Sequence, residues 1–304
     1  LTTDTGGANA ALHRFDLTNL EDDPTATVPR VGAPFVLTDG DRTWAPGLTP
    51  GGAGPVCPQQ AVVGGPTSNP VGYVAVWDLC EGETEDDGRV HVVDLAEAAV
   101  DSLLPFTYDA VGIRAGVTDP ATFTTVRIGL NGVRILETRP FAEPSDATGG
   151  DAEVEDDVDL LDLSVARGTW WALVRLPSGD PEIRGFAPDA TPATRPAFAG
   201  ATRLFVGGGP GAVAFGTNQA QVVFSDGAST PTSVAVFGVG DAPAAVAATV
   251  EANDYAVVAT TSGVLCALDV RVAATSPGCE FVLTDPGLAG ARFLTWTYAA
   301  PSAP

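Results

Sequence analysis

The sequence predicts an all-β fold assembled from copies of one small antiparallel unit. Short apolar runs recur along the chain, and no long stretch has the 3.6-residue periodicity of a helix. The 35 glycines and 25 prolines among 304 residues suit many short strands joined by tight turns. Several segments also repeat one another, and self-similarity of this kind indicates a repeat architecture.

The clearest copy of the unit is the segment 254–285. It predicts three strands and one tight turn, the strands at 255–260, 264–270 and 280–284 and the turn at 261–263. Its last five residues are identical to residues 35–39, and a Thr-Trp pair follows each copy.

Weaker copies of the hairpin centre on Asn131-Gly132, Ser178-Gly179 and Thr217-Asn218. Asn and Gly tolerate positive φ, so such pairs between apolar runs are typical of hairpin turns. His13, His91 and Cys266 fall at one position of the repeat, in its middle strand. We therefore interpret both histidines as structural and not as catalytic bases.

Equivalent residues of successive copies lie 38 to 49 residues apart, except for one step of 78. A period near ~40–50 residues with about four strands per unit resembles the repeats of β-propellers. The resemblance covers nearly the whole chain and implies a single domain, 1–304, with six four-stranded blades; seven blades are the alternative. We assign the long step to a Gly/Pro-rich insertion at about 47–70, which is expected to hold no strand pair of its own.

The two ends of the sequence support a closed ring. Residues 1–7 resemble a strand that runs into the turn of the model unit, and residues 292–298 resemble an inner strand. We expect the first blade to take its innermost strand from the C-terminal segment, because such pairing removes open sheet edges.

The charge balance disfavours two classes of partner, nucleic acid and anionic lipid. All 15 basic side chains are Arg, against 38 acidic ones, and the formal net charge is −23. Binding to nucleic acid or to anionic lipid depends on cationic contacts, so neither partner is expected. The apolar runs are also too short to cross a bilayer, and no membrane insertion is predicted.

The cysteines are Cys57, Cys80, Cys266 and Cys279, which allow three pairings. We prefer Cys57–Cys80 and Cys266–Cys279, each within one blade. Two bridges imply an oxidising compartment, so the protein is expected to be secreted, extracellular or periplasmic. The alternative is four buried thiols; a zinc site is disfavoured because no Cys-x-x-Cys pair occurs.

Residues 38–44 partly resemble the Asp-box of sialidase-like propellers, with Asp39, Thr43 and Trp44 in register. The segment departs from that motif at Asp41, where the motif has Gly. The Asp-box is a turn motif and not an active site, so it implies no hydrolase by itself. A carbohydrate-active hydrolase or lyase that uses Asp/Glu pairs remains an alternative, because carboxylates are plentiful.

An acidic segment follows the third repeat. Calcium takes about six to eight oxygen ligands, and the carboxylates that would supply them are Asp151, Glu153, Glu155, Asp156 and Asp157. The alternative is a solvated acidic loop. Apart from this calcium hypothesis, no motif in the sequence indicates a cofactor.

We predict a binding or scaffold module for a protein or carbohydrate ligand. Ligands of propellers commonly sit over the central channel, and the side chains expected there are Arg42, Trp44, Arg292 and Trp296. The other alternative is a subunit of a cell-surface assembly.

Overall fold

The structure is a computed structural model, and it describes the residues of the strands and some of the connecting turns. The described residues are 2–3, 11–13, 35–36, 38–39, 42–48, 52–53, 58–66, 73–78, 89–94, 107–108, 114–115, 122–128, 134–140, 152–154, 157–166, 169–186, 193–206, 211–224, 234–235, 241–248, 255–269, 279, 281–284 and 294–295. Among them, no helix has the length and hydropathy that a bilayer span requires.

The first half of the chain forms three groups of strands, here called units 1 to 3. Unit 1 contains β1 (Thr2–Thr3), β2 (Ala11–His13) and β3 (Phe35–Val36). Unit 2 contains β4 (Thr38–Asp39), β5 (Arg42–Leu48), β6 (Gly52–Ala53), β7 (Pro58–Pro66), β8 (Tyr73–Asp78) and β9 (Arg89–Asp94). Unit 3 contains β10 (Thr107–Tyr108), β11 (Arg114–Ala115), β12 (Thr122–Ile128), β13 (Arg134–Pro140) and β14 (Ala152–Val154).

The second half forms three antiparallel units of four strands each. Unit 4 contains β15 (Asp159–Ala166), β16 (Thr169–Arg175), β17 (Pro181–Phe186) and β18 (Ala193–Pro196). Unit 5 contains β19 (Ala201–Val206), β20 (Gly211–Gly216), β21 (Gln219–Phe224) and β22 (Val234–Ala235). Unit 6 contains β23 (Pro243–Ala248), β24 (Tyr255–Thr260), β25 (Val264–Asp269) and β26 (Phe281–Thr284).

The last strand, β27 (Leu294–Thr295), joins the two ends of the chain. It pairs antiparallel with β1, Thr2 opposite Leu294, and parallel with β23. Units 6 and 1 therefore share one eight-stranded sheet, with β27 between β23 and β1. The identical segments at 35–39 and 281–285 begin in β3 and β26, the two end strands of that sheet.

Units 3 and 4 pack face to face. Val126 and Leu136 of unit 3 lie in one buried cluster with Trp170 and Phe186 of unit 4. The Trp170 indole N–H donates to Thr124 Oγ1 across the junction, at 3.0 Å. The residues of β16 alternate between the two faces of its sheet, so Trp170 faces unit 3 while Leu173 faces the other side.

The other face of unit 4 packs on unit 5. Leu173 and Ile183 of unit 4 form a buried cluster with Leu204 and Val206 of unit 5. Burying a large apolar side chain contributes about 1.5–3 kcal/mol to stability, and each interface between units buries several such side chains.

Unit 5 in turn packs on unit 6, through a cluster that contains Phe205, Phe215, Val258 and Leu268. Units 4 and 5 are thus covered on both faces by the units that precede and follow them in the chain. Two stacked sheets cannot give this arrangement, and a β-propeller-like one does. The all-β, antiparallel class predicted from the sequence is confirmed.

The predicted hairpin turns are confirmed. Strands pair antiparallel on either side of Asn131-Gly132, Ser178-Gly179 and Thr217-Asn218. Gly179 has φ 92° and Asn218 has φ 56°, and Gly263 in the turn of unit 6 has φ 85°. The left-handed backbone conformation costs Gly almost no free energy and is tolerated by Asn, which explains why these residue types occur in the turns.

The prediction that 47–70 holds no strand pair is wrong. Strand β7 occupies residues 58–66 of this segment and pairs with β5, β6 and β8. Its two prolines stand at the ends of the strand, where a missing N–H is tolerated. Prolines usually indicate a break in a strand, so the short apolar run between them was not recognised as one. Because β7 was missed, His91 was also misplaced: it lies in β9, the end strand of its sheet, whereas His13 lies in β2 between β1 and β3.

Candidate functional site

One end of units 4 to 6 carries the turns between their second and third strands, residues 176–180, 217–218 and 261–263; we call it the turn face. The first strands of units 4 and 5 run in the same direction, since the Leu204 N–H donates to Asp162 and the Val206 N–H, two residues on, donates to Ser164. Because these first strands are parallel, the turns between the second and third strands of units 4 and 5 lie at the same end of the packed sheets.

Asp241 connects two of these turns at the start of β23. Its backbone oxygen accepts a hydrogen bond from the Asn218 N–H of unit 5 at 2.7 Å. Its Oδ1 accepts from the Thr261 hydroxyl at 2.9 Å and from the Ser262 N–H at 3.1 Å. Its Oδ2 accepts from the Ser262 hydroxyl at 2.6 Å. One residue therefore fixes the turns of unit 5 and unit 6 relative to each other.

The pKa of the Asp241 carboxyl is lowered from its ordinary value. Burial is the largest single influence and acts in the opposite direction, because it raises the pKa. Hydrogen bonds from the Ser262, Thr260 and Thr261 hydroxyls and from the Ser262 N–H outweigh it. The group is therefore an anion that accepts hydrogen bonds and a poor general base.

In unit 6, Asp241 joins the segment before the first strand to the end of the second strand. In unit 5, the same two parts of the unit are held together by close packing. A Cβ added to Gly216, at the end of β20, would lie 2.2 Å from the backbone oxygen of Gly200 and 2.8 Å from the Phe198 ring. Gly200 immediately precedes β19, as Asp241 precedes β23 by two residues. The start of the first strand thus meets the end of the second strand in both units, through different atoms.

The tips of the turns remain open to solvent. Thr217 and Gln219 are exposed in unit 5, and Thr261 and Ser262 are exposed in unit 6. All four side chains are uncharged: Thr217 and Gln219 can donate and accept hydrogen bonds, whereas the Thr261 and Ser262 hydroxyls donate to Asp241 and can still accept. Ser178 in unit 4 is also exposed, and its hydroxyl donates to Asp180 Oδ2 at 3.0 Å.

The buried carboxylates of the described residues, Glu137, Asp162 and Asp241, all have partners. Asp162 accepts from the Leu163 N–H through Oδ1 and from the Leu204 N–H through Oδ2. Glu137 pairs with Arg139 at 3.0 Å, and both side chains are buried. These contacts stabilise the sheets and assign no carboxylate to catalysis.

Two of the four predicted ligand-binding residues lie in a described strand. Arg42 and Trp44 lie in β5, opposite Pro66 and Gly64 of β7, and the structure places their backbone only. Arg292 and Trp296 lie outside the described residues. All four remain predictions.

The predicted calcium ligands are placed only in part. Glu153 is exposed on β14, and Asp157 is exposed in the turn before β15. Asp151, Glu155 and Asp156 lie outside the described residues. The part of the chain that is described contains no group of three or more potential metal-ligating side chains. The calcium site stays a prediction.

The predicted Cys266–Cys279 disulfide is confirmed, with the two Cα atoms 5.3 Å apart. It ties the third strand of unit 6 to the segment that leads into its fourth strand. Cys57 and Cys80 lie outside the described residues, so their pairing stays a prediction.

Sequence reasoning missed the residues that organise the turn face. Asp241 belongs to no motif, and its partners Thr261 and Ser262 lie in the turn of the next hairpin. The one signal was local: two consecutive hydroxyl residues in a turn offer donors to a nearby carboxylate. Which carboxylate they meet is decided by the packing of β23 on β24.

Comparison with known proteins identifies no family, and it finds solved structures with a similar fold. No protein-family model matches the sequence, and no curated protein matches it either. A crystal structure of a protein of unknown function from Bacteroides caccae is 10% identical, covers 97% of each chain and has a TM-score of 0.56. At this identity the likeness concerns the fold alone.

Two other solved structures have lower TM-scores. Kluyveromyces lactis Hsv2 is 13% identical, with 88% of this chain and 71% of that chain covered and a TM-score of 0.42. Chaetomium thermophilum Raptor is 10% identical, with 81% of this chain covered and a TM-score of 0.49. The present chain spans only 21% of the Raptor chain.

Proposed function

We propose that the chain is a six-bladed β-propeller, closed by β27, that works as a binding or scaffold module. Support for the ring comes from the stacking of units 3 to 6 in chain order and from the pairing of β27 with both β1 and β23. Units 1 to 6 would each be one blade. The seven-bladed alternative would need another group of strands, and the described residues within the step of 78 residues all belong to the sheets of units 1 and 2, which favours six.

The proposed binding surface is the turn face. The observation that carries this proposal is the Asp241 network, which holds two neighbouring turns in fixed positions while Thr217, Gln219, Thr261 and Ser262 stay exposed. Rigid elements that present hydrogen-bonding side chains lose little conformational entropy when a ligand binds. A protein or a carbohydrate with matching polar groups is the expected ligand.

The test is a comparison of charged variants of this face. The double variant Thr217→Arg/Gln219→Arg places two long cations on the turn of unit 5, outside the Asp241 hydrogen bonds. The matched control is Thr194→Arg, at an exposed position on β18. Wild type and both variants are assayed on a glycan array with calcium or EDTA, and as bait against the extracellular protein fraction of the host.

The proposal expects at least one ligand that wild type and Thr194→Arg bind alike and that the double variant binds at least tenfold more weakly. A charge placed in a polar interface without a partner is costly, which accounts for this loss. The proposal fails if no ligand is found in either screen, or if every ligand found binds the double variant as well as wild type.

We also propose that the protein works in an oxidising compartment, outside the cytosol. The Cys266–Cys279 disulfide supports this, because structural disulfides persist mainly in such compartments. Alkylation of the native protein directly in host cultures, followed by mass spectrometry, measures the oxidised fraction of Cys266. A largely reduced pair would contradict the proposal.

A further inference from the structure

The first strands of units 4, 5 and 6 share a β-bulge at the same place. Register shifts occur between Leu160 and Asp162 in β15, between Ala201 and Arg203 in β19, and between Pro243 and Ala245 in β23. A bulge turns the residue that follows it to a new direction. The residue that follows the bulge is Asp162, Arg203 or Ala245, so its chemistry differs in every unit.

In unit 4, the side chains that follow the bulge reach the open edge of the next unit. Strand β19 pairs with β20 along one edge, so alternate amides on its other edge need partners from elsewhere. Asp162 Oδ2 accepts from the Leu204 N–H at 2.8 Å, and Ser164 Oγ accepts from the Val206 N–H at 3.2 Å. Asp162 is buried, with 5% of its surface exposed, so water does not compete for these bonds.

In unit 5, the equivalent residue makes the same connection with opposite chemistry. The Arg203 Nε–H donates to the backbone oxygen of Ala244 in β23, at 3.1 Å. Its Nη1 donates to the neighbouring Thr202 oxygen at 2.9 Å, which fixes the guanidinium on its own strand. An acid in unit 4 therefore holds an amide of the next unit, and a base in unit 5 holds a carbonyl.

In unit 6, the equivalent residue is Ala245, which has no polar group to extend. Here β23 pairs directly with β27 through the backbone, Ala247 opposite Leu294 and Ala248 opposite Thr295. Direct pairing needs strands about 4.8 Å apart, and an Asp or Arg bridge needs a wider separation. A short side chain at this point is compatible with the closer approach.

We infer that the residue after the bulge is an inter-unit latch, which sets whether successive first strands are bridged by a side chain or paired by the backbone. Where it is polar, it completes the hydrogen bonds of the next unit's open edge. Where it is alanine, the next strand itself does so. The latch fixes the alignment of each unit on its neighbour independently of the apolar clusters.

Amide hydrogen exchange of the full chain, read residue by residue by NMR, tests this inference. In Asp162→Ala, the Leu204 amide should exchange roughly ten- to a hundredfold faster, because a buried bond to a charged acceptor is lost. The Val206 amide should change by less than about threefold. Ser164→Ala is the matched variant, and it should accelerate Val206 and leave Leu204 unchanged.

Two results would overturn the inference: an unchanged Leu204 rate, or an equal acceleration of all amides of unit 5, which would report only lower global stability. If Asp162→Ala does not fold, Asp162→Asn is measured instead. Its amide oxygen still accepts, but more weakly than a carboxylate, so Leu204 should exchange several-fold faster. An unchanged rate in that variant equally overturns the inference.

Discussion

Units 5 and 6 close the same junction in two ways. In both, the segment entering the first strand lies against the end of the second strand. Unit 5 closes the gap by contact between Gly216 and Gly200, with the Phe198 ring beside them. Unit 6 closes it with hydrogen bonds from the turn 261–263 to Asp241. One backbone arrangement is thus maintained by steric fit in one copy and by a buried anion in the next.

The comparison explains why the repeat is faint in the sequence. A junction closed by packing requires glycine at Gly216, and a junction closed by hydrogen bonds requires donors at Thr261 and Ser262. The packed junction and the hydrogen-bonded junction therefore have no required residue type in common. Copies of a unit can therefore keep their architecture while their sequences lose all resemblance at the position that matters.

The largest effect is expected from Gly216→Val. The added Cβ would overlap the Gly200 oxygen, and backbone must move to relieve the contact. Overpacking of this kind usually costs up to about 3 kcal/mol, and more where backbone is the obstacle, so we expect a loss of about 4 kcal/mol in the free energy of unfolding. Denaturation in urea measures it. Gly200→Ala is the control, because its Cβ would meet only the Phe198 ring, at 3.3 Å. Equal losses in the two variants would refute the steric account.

Removal of the Cys266–Cys279 disulfide should come next. The bridge spans 13 residues of unit 6, and a loop of that length contributes about 3 kcal/mol in the chain-entropy account. Unit 5 contains no cysteine, so of these two units only unit 6 has a cross-link. The double variant Cys266→Ala/Cys279→Ala is compared with wild type by urea denaturation. A loss below about 1 kcal/mol would show that packing alone holds the third and fourth strands together.

Asp241→Ala should cost about 2 kcal/mol. The substitution removes the charged acceptor of the Ser262 N–H and of the Ser262 and Thr261 hydroxyls, and the Ala242 N–H keeps only its bond to Thr261 Oγ1. A hydrogen bond to a charged group contributes about 1.5–3 kcal/mol, and the partial exposure of this network keeps the sum low. Thr261→Val removes one donor of the same network and should cost less. The order of the two losses is the informative quantity: if Thr261→Val is the more destabilising, the carboxylate is not the centre of the network.

The contribution of Asp241 should disappear in acid. The pKa of this carboxyl is lower in the folded chain than its unfolded value of about 3.9, so ionisation stabilises the fold above that pH. The stabilisation is lost as the pH falls through the folded pKa. The difference in unfolding free energy between wild type and Asp241→Asn should therefore shrink below about pH 4. A difference that is constant from pH 7 to pH 3 would contradict the lowered pKa.

The smallest effect is expected from Asn218→Gly. Glycine adopts the φ of 56° at no cost and retains the N–H that donates to Asp241, so the free energy of unfolding should change by less than about 0.5 kcal/mol. Asn218→Ala is the matched variant. It keeps the same N–H but must hold a Cβ in left-handed backbone, at about 1 kcal/mol. Equal stability of the two variants would show that this turn conformation is not under strain.

The fold was predictable where local chemistry determines it. Gly179, Asn218 and Gly263 mark turns because their backbone φ is positive, and that preference can be read from a few residues. The Cys266–Cys279 bridge was predictable for a similar reason, since both residues belong to one unit. Strand β7 was missed because Pro58 and Pro66 normally indicate a break, and here they stand at the ends of the strand.

The candidate site was not predictable in the same way. Asp241 meets Asn218 of the preceding unit, and Asp162 meets Leu204 of the following one. Such contacts depend on how whole sheets stack, which no local pattern encodes. The aromatic and cationic residues that the sequence suggested, Trp44 and Arg42 among them, were chosen by type and place in the repeat, and those criteria do not identify an inter-unit hydrogen bond.

Packing on both sides of units 4 and 5 restricts how this architecture can change in length. Removing unit 4 would expose the apolar faces of units 3 and 5, which carry Val126 and Leu136 and Leu204 and Val206, and neither face is complementary to its new neighbour. Removing unit 5 would likewise expose Leu173 and Ile183 of unit 4 and Val258 and Leu268 of unit 6. Aggregation would be the immediate outcome. Lineages of such proteins should therefore gain or lose whole copies only rarely, and vary mainly in the loops at their rims.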